Sequence, residues 1–365
     1  MKFLLPALLF FGMSFAVSAG TPTARKANYS VERKGKEKVV MVYRQITNAE
    51  LNKLFLDNKD MTTLIMPDRN INNPPRFLVS PENFQNIKEC KKLKSLHMRY
   101  LNVTDNVLQY ISDLRELRYL DLRASKITDK DLTYLKHLVN LQELYLDFIP
   151  LTDAGIINLK NMTKLKVLRF YRAPITDRGF KNFQKMLALE DLEIGESLIT
   201  DSSMPIISKM TKLKTLDLRT KVTDKGLMYL APLKELSWLC LSETSIGDEG
   251  MNYIAGLRKL RFLYLEGTKI TDNGISKLAN HPKLRTLYIS RTAITDKGMD
   301  TLATLTKLEN LKLNETLITD KGLEKLRKLK NLRDLEIHKT KVTPKGIAVL
   351  KARLPNLNIL TRRNY

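Results

Sequence analysis

Aliphatic residues recur along most of the 365-residue chain in two alternating spacings. A stretch with apolar residues two apart, such as Leu287 and Ile289, gives way after a polar turn to residues three apart, such as Leu323 and Leu326. The first spacing puts side chains on one face of a strand and the second on one face of a helix. The pattern predicts strand, turn and helix, many times over. Each turn carries a Thr-Asp pair: Thr104-Asp105, Thr128-Asp129, Thr152-Asp153, Thr176-Asp177, Thr200-Asp201, Thr223-Asp224, Thr271-Asp272, Thr295-Asp296 and Thr319-Asp320. Successive turns lie 24 residues apart, with one step of 23 at Thr223, and Gly247-Asp248 and Thr343-Pro344 keep the phase. No unit of this size can bury its apolar face alone, so stacked units must share one continuous core.

The full unit reads Leu-x-x-Leu-x-Leu-x-x-Thr-x-Ile-Thr-Asp-x-Gly-Leu-x-x-Leu-x-x-Leu, as from Leu284 through Thr292, Ile294, Thr295 and Asp296 to Gly298. It resembles the leucine-rich repeat family, and its Ile-Thr-Asp-x-Gly-Leu segment is similar to the type in F-box-protein repeat domains and exported bacterial repeat proteins. The resemblance runs from about residue 64 to 360 in eleven in-phase copies. It implies an α/β fold, a right-handed horseshoe solenoid with a parallel sheet on the concave face and short helices on the convex face.

Proline replaces the aspartate at Thr343-Pro344 and Ser80-Pro81, and proline suits the first helical position. The Thr or Ser is therefore read as the helix N-cap, and the aspartate as a complement to the helix dipole. Singly recurring aspartates are structural and not calcium ligands, which converge in clusters. Thr220, Thr244, Thr268, Thr292, Thr316 and Thr340, with Ser125 and Ser197, stand where the family often has asparagine, and are expected to satisfy turn backbone groups from unit to unit.

The N-terminus departs from the repeat. Lys2 precedes an apolar run from Phe3 to Val17 and a small-residue site at Ala19, which reads as a signal peptide over 1–19 and places the protein in the secreted, periplasmic or cell-envelope space. The run is too short for a membrane-spanning helix. Residues 20–37 read as a flexible basic linker, 38–92 as irregular capping repeats and 93–365 as regular 24-residue repeats with a C-terminal cap. Within the capping region, Lys38 to Tyr43 is expected as the first strand, Thr47 and Glu50 as a capping box, and Pro67 to Phe77 as a loop.

Composition narrows the chemistry. With 62 Lys and Arg against 39 Asp and Glu, the net charge is +23, which attracts acidic partners without specifying a fold. Two cysteines build no disulfide framework, and the 4 histidines have no metal-ligand spacing. Cys90 falls at a buried helix-end position, whereas Cys240 is expected to point outward between Leu239 and Leu241. No phosphate loop, zinc motif or nucleophile elbow is present, so neither an enzyme nor a cofactor is predicted.

Candidate binding residues follow from strand alternation, which sends the residues flanking the core leucines to the open side of the sheet. Trp238, Phe262, Tyr264 and Tyr288 fall there on three consecutive strands, Tyr119, Tyr145 and Tyr171 on three earlier ones, with Arg169 and Arg219 among them. Aromatics flanked by charge suit a protein or peptide partner; packing of neighbouring rings on the sheet is the alternative. A basic band, including Arg258, Lys259, Arg261, Lys283 and Arg285, crowds the turns between helix end and strand. It either complements helix ends and keeps the chain soluble, or forms a track for an anionic polymer or glycan; no nucleic-acid motif accompanies it. The F-box resemblance implies substrate recognition in ubiquitin ligation, but no F-box segment precedes the repeats and the leader points to export.

Overall fold

The computed structural model describes residues 28–43, 46–66, 81–100 and 107–361. The leader expected over 1–19, the loop over 67–77, Ser80 and the Thr104-Asp105 turn lie outside them.

The expected solenoid is the observed architecture. Fifteen strands form one open sheet in chain order. From Glu37–Val42 to Asn358–Leu360 all neighbours are parallel, and after Glu37–Val42 every strand is three residues long. Strands this short serve because each is repeated: Leu216, Leu239, Leu263, Leu287 and Leu311 pair in register and are at most 1% exposed. Brief α or 3-10 turns such as Asp177–Phe180 and Met228–Leu230 return the chain on the convex side. They bury Phe180 and Leu230 against the same core.

Each turn after a strand needs one left-handed residue. Ala124, Phe148, Arg172, Glu196, Glu243, Arg291 and Glu315 have φ between 53° and 66°, and Gly267 fills the same place at 67°. Between Leu218 and Thr220 that residue is missing, since Arg219 alone separates them. Thr220 instead closes a tighter turn by donating its N–H to Leu218 O at 2.7 Å. The single 23-residue step is thus the loss of one left-handed position.

The Thr-Asp pairs do more than cap helices. Thr152, Thr176, Thr271 and Thr319 accept an N–H from two residues on, as N-caps do. The aspartate, which stands in the first turn of its own helix as the dipole reading requires, also reaches the following repeat. Asp296 accepts from Thr319 N at 2.7 Å and Thr319 Oγ1 at 2.5 Å. The same pair of bonds joins Asp153 to Thr176 and Asp272 to Thr295, while Gly247 offers Asp224 only its N–H. The Gly of each motif leaves room for that carboxylate: a Cβ at Gly322 would lie 2.2 Å from Asp296 Oδ1. Where Ser203 replaces the glycine, its hydroxyl donates to Asp177 Oδ1.

Two further expectations are corrected. The turn threonines bond within their own unit and not between units, Thr244 Oγ1 donating to Leu241 O and Thr292 Oγ1 to Ile289 O, because the bend brings that carbonyl within reach. The linker expected over 20–37 is structured from Tyr29, where Tyr29–Lys34 pairs antiparallel with Glu37–Val42 about Gly35. This hairpin covers the first edge of the sheet: Val40 and Val42 of its inner strand enter the core, while the outer strand carries its charges to the surface. Cys240 lies on the open side as alternation requires, yet it is 6% exposed, because Asp217 and Tyr264 flank it in register and shield the smaller side chain.

Candidate functional site

The outward positions of the sheet form rows with one residue per repeat. Trp238, Phe262, Thr286 and Asn310 make one row; Cys240, Tyr264, Tyr288, Lys312 and Glu336 make the next. Parallel strands stand about 4.8 Å apart, close enough for rings in adjacent repeats to touch. Trp238 packs on Tyr264 with centroids 5.1 Å apart, and Tyr264 meets Tyr288 edge-on at 4.9 Å. Lys312 Nζ sits 4.3 Å from the Tyr288 centroid. Phe262 stands beside Trp238 in register but outside this ladder, with the Arg261 guanidinium 5.6 Å from its ring.

A second aromatic group occupies the N-terminal half. His97, Tyr119 and Tyr145 stack at 4.3 and 5.3 Å, and Arg123 and Arg169 lie at 5.0 and 5.6 Å from the Tyr145 ring. Tyr171 turns instead toward Phe148, at 5.3 Å, with Arg219 4.7 Å from its ring. All seven predicted rings are half-buried, each screened by its neighbours. Among these contacts, sequence reasoning had not selected His97, Arg123, Phe148 or Lys312, of which Arg123 was legible as the outward position just after its strand. His97 and Lys312 were legible as outward strand positions, but Phe148 occupies the left-handed turn position and carries no strand signal.

A lattice of acids and arginines runs through the N-terminal aromatic group and on toward the ladder. Arg169 bridges Asp191 at 2.6 Å and Glu193 at 2.9 Å. Asp121 holds Arg99 at 2.8 Å and Arg123 at 2.6 Å, and Asp217 holds Arg219. Both predicted arginines are therefore already paired. Over the two outward positions of each strand from Ser95–His97 to Asp334–Glu336 and the second residue after it, nine side chains are Asp or Glu and five are Lys or Arg. A chain of net charge +23 thus presents an acidic open face.

Burial dominates the titration of this face. It pushes the Glu193 carboxyl up to about 8 against the pull of Arg169, with Asp191, Asp217 and Asp147 adding to the rise. Asp147, Asp191 and Glu266 are likewise raised by burial. The same cause lifts Cys240 and Tyr288 to about 12 and lowers His97 to about 4, leaving all three neutral near pH 7. Because the fold prefers protonated Glu193, this group favours folding at low pH, and that contribution fades as pH rises from the unfolded value of 4.5 through about 8.

The basic band lines the edge where helices hand over to strands. Arg258, Lys259, Arg261 and Lys283 are exposed, and Arg285 is partly covered. Some of this charge is answered one repeat away: Lys259 pairs with Glu235 at 2.7 Å, Lys214 with Glu190 at 2.6 Å, and Arg285 with Glu309. Among the described residues no group of His, Cys, Asp and Glu could hold a metal ion, and no helix is long and apolar enough to cross a membrane.

Two consecutive repeats, residues 256–279 and 280–303, match the family model described as Leucine Rich repeat. An internalin (inlF) of Listeria monocytogenes is similar in structure over 88% of this chain and 90% of that one, with a TM-score of 0.63 and 24% identity. A TDR receptor is similar over 85% of this chain and 56% of its own length, with a TM-score of 0.55 and 17% identity. No curated protein sequence matches the chain. At these identities the likeness is one of fold, and function must come from the side chains.

Proposed function

The chain is a leucine-rich-repeat protein, and on that premise we propose that it is an exported, non-enzymatic binding scaffold whose concave sheet docks a protein or peptide segment rich in basic and apolar side chains. The observation that carries this reading is the excess of carboxylates among stacked aromatics on the open face of a strongly basic chain. The core does not require those rings: it is filled by the in-register leucines. A rigid sheet presents them in fixed geometry, which limits the ordering entropy lost on binding. Partner lysines or arginines would meet the Asp191 and Glu193 region, and apolar side chains the Trp238, Tyr264 and Tyr288 ladder. Tyr119, Tyr145 and Tyr171 extend the strip, and Phe262 borders it.

Selection from a displayed random-peptide library tests this directly. Enriched peptides should be cationic, and D191N/E193Q should weaken them about tenfold at pH 9, where Glu193 is ionised. Enrichment of acidic peptides, or indifference to D191N/E193Q, would contradict the reading. A pH titration gives an independent check. Raising the pH from 7 to 9 ionises Glu193, so a peptide with free lysine side chains and an acetylated N-terminus should bind several-fold more tightly. E193Q should flatten that rise; a rise that survives the substitution assigns it to another group.

A further inference from the structure

The +23 charge is localised. Take the eleven loops entering the strands from Ser95–His97 to Asp334–Glu336, each of which begins after a buried residue such as Leu257 or His281. The first, second and fourth positions after that residue carry eighteen Lys or Arg and four Glu. One edge therefore holds an excess of fourteen positive charges, while the adjoining sheet face is acidic. Helix-end complementation accounts for little of this. Most of the α-helices among the described residues are four to six residues long, dipole effects fade within a turn, and the loop into Phe262–Tyr264 carries three cations, Arg258, Lys259 and Arg261. Solubility would be served equally by charge spread over the whole surface.

We propose that this edge, centred on Arg258, Lys259, Arg261 and Lys283, binds a linear polysaccharide bearing carboxylate or sulfate groups. The four side chains are exposed, and Arg258 and Lys283 have no ion pair among the described residues. Cations in successive loops advance by one strand spacing, about 4.8 Å, comparable to the rise of one sugar in an extended chain. A DNA strand carries a phosphate every 3.4 Å or so and winds away from a straight track. Phe262 supplies a second element. It is the predicted ring that the aromatic ladder leaves aside, it lies at the strand end nearest the edge, and Arg261 stands over it. A sugar ring can lay its C–H face on such an aromatic while its anionic group meets the neighbouring cations.

The test compares heparin and polygalacturonate with neutral dextran, using the full chain, R258Q/K259Q/R261Q/K283Q, and a control with equal charge loss on the turns after the strands, K126Q/K221Q/K269Q/K341Q. Circular dichroism melts establish that each is folded. The edge variant should bind both anionic polysaccharides about tenfold or more weakly, with a shallower dependence of log affinity on log salt. The control should change less than about threefold, R258K/K259R/R261K/K283R should retain binding, and F262A should weaken it without altering the salt slope. Equal losses in edge and control variants would reduce the effect to bulk charge and overturn the proposal. Tighter binding of charge-matched duplex DNA or anionic vesicles at 0.15 M salt would overturn it in favour of those partners.

Discussion

Replacing Gly322 by alanine is expected to destabilise the protein by about 2–4 kcal/mol, opposite in sign to the ordinary effect of a glycine-to-alanine change in a helix. Alanine is the better helix former, so the expected sign comes entirely from the neighbouring repeat. A Cβ at Gly322 would lie 2.2 Å from Asp296 Oδ1 and 3.0 Å from Asp296 Cγ. The carboxylate cannot simply step aside, because it holds both the N–H and the hydroxyl of Thr319. Moving it weakens two hydrogen bonds to a charged acceptor, each worth about 1.5 kcal/mol or more when fully formed. Asp296→Ala loses those bonds but clears the space, so D296A/G322A should be little worse than D296A alone. Equilibrium urea unfolding of the four proteins gives the coupling, expected to be about 1–3 kcal/mol. Strict additivity would show that the glycine is there for another reason.

The second large effect concerns binding. W238A/Y264A should weaken a library-selected cationic peptide by about a hundredfold or more, since half-buried aromatics at the centre of a strip act as anchors. The fold should lose much less. The two rings stack at 5.1 Å and Tyr264 also meets Tyr288, contacts worth about 0.5–1.5 kcal/mol each. The melting temperature should therefore fall by only a few degrees. A collapse of the fold would mean that the ladder is part of the core; unchanged peptide affinity would move the docking surface elsewhere.

The division between structural and binding residues also marks what could be read from the chain. Leu239 and Leu263 were legible because the two-residue spacing returns in phase every repeat, and a fixed phase leaves only one register for a parallel sheet. The N-cap role of Thr343 was legible because Pro344 has few other places in a helix. The carboxylate of Asp296 was not, because its partner stands 23 residues away and is brought close only by stacking. The burial of Cys240 was not legible for a related reason: alternation fixes which side a residue faces, whereas exposure depends on the bulk of Asp217 and Tyr264 in adjoining repeats. The hairpin of Tyr29–Lys34 was missed because an edge cover is stabilised by backbone pairing and carries charge outward, which in sequence resembles a linker. At the candidate site the rings were visible as outward positions. Their stacking, and the neutralisation of Arg169 and Arg219 by Asp191, Glu193 and Asp217, were properties of neighbouring strands together.

Trp238 is the single tryptophan of the chain, so its emission reports on the proposed docking strip without interference from another indole. Titrating the wild-type protein with a selected tryptophan-free peptide should shift that emission and reduce its quenching by acrylamide, saturating at the same concentration as binding measured by calorimetry. If calorimetry saturates while the emission and quencher access of Trp238 stay constant, the concave aromatic strip is not where the partner sits.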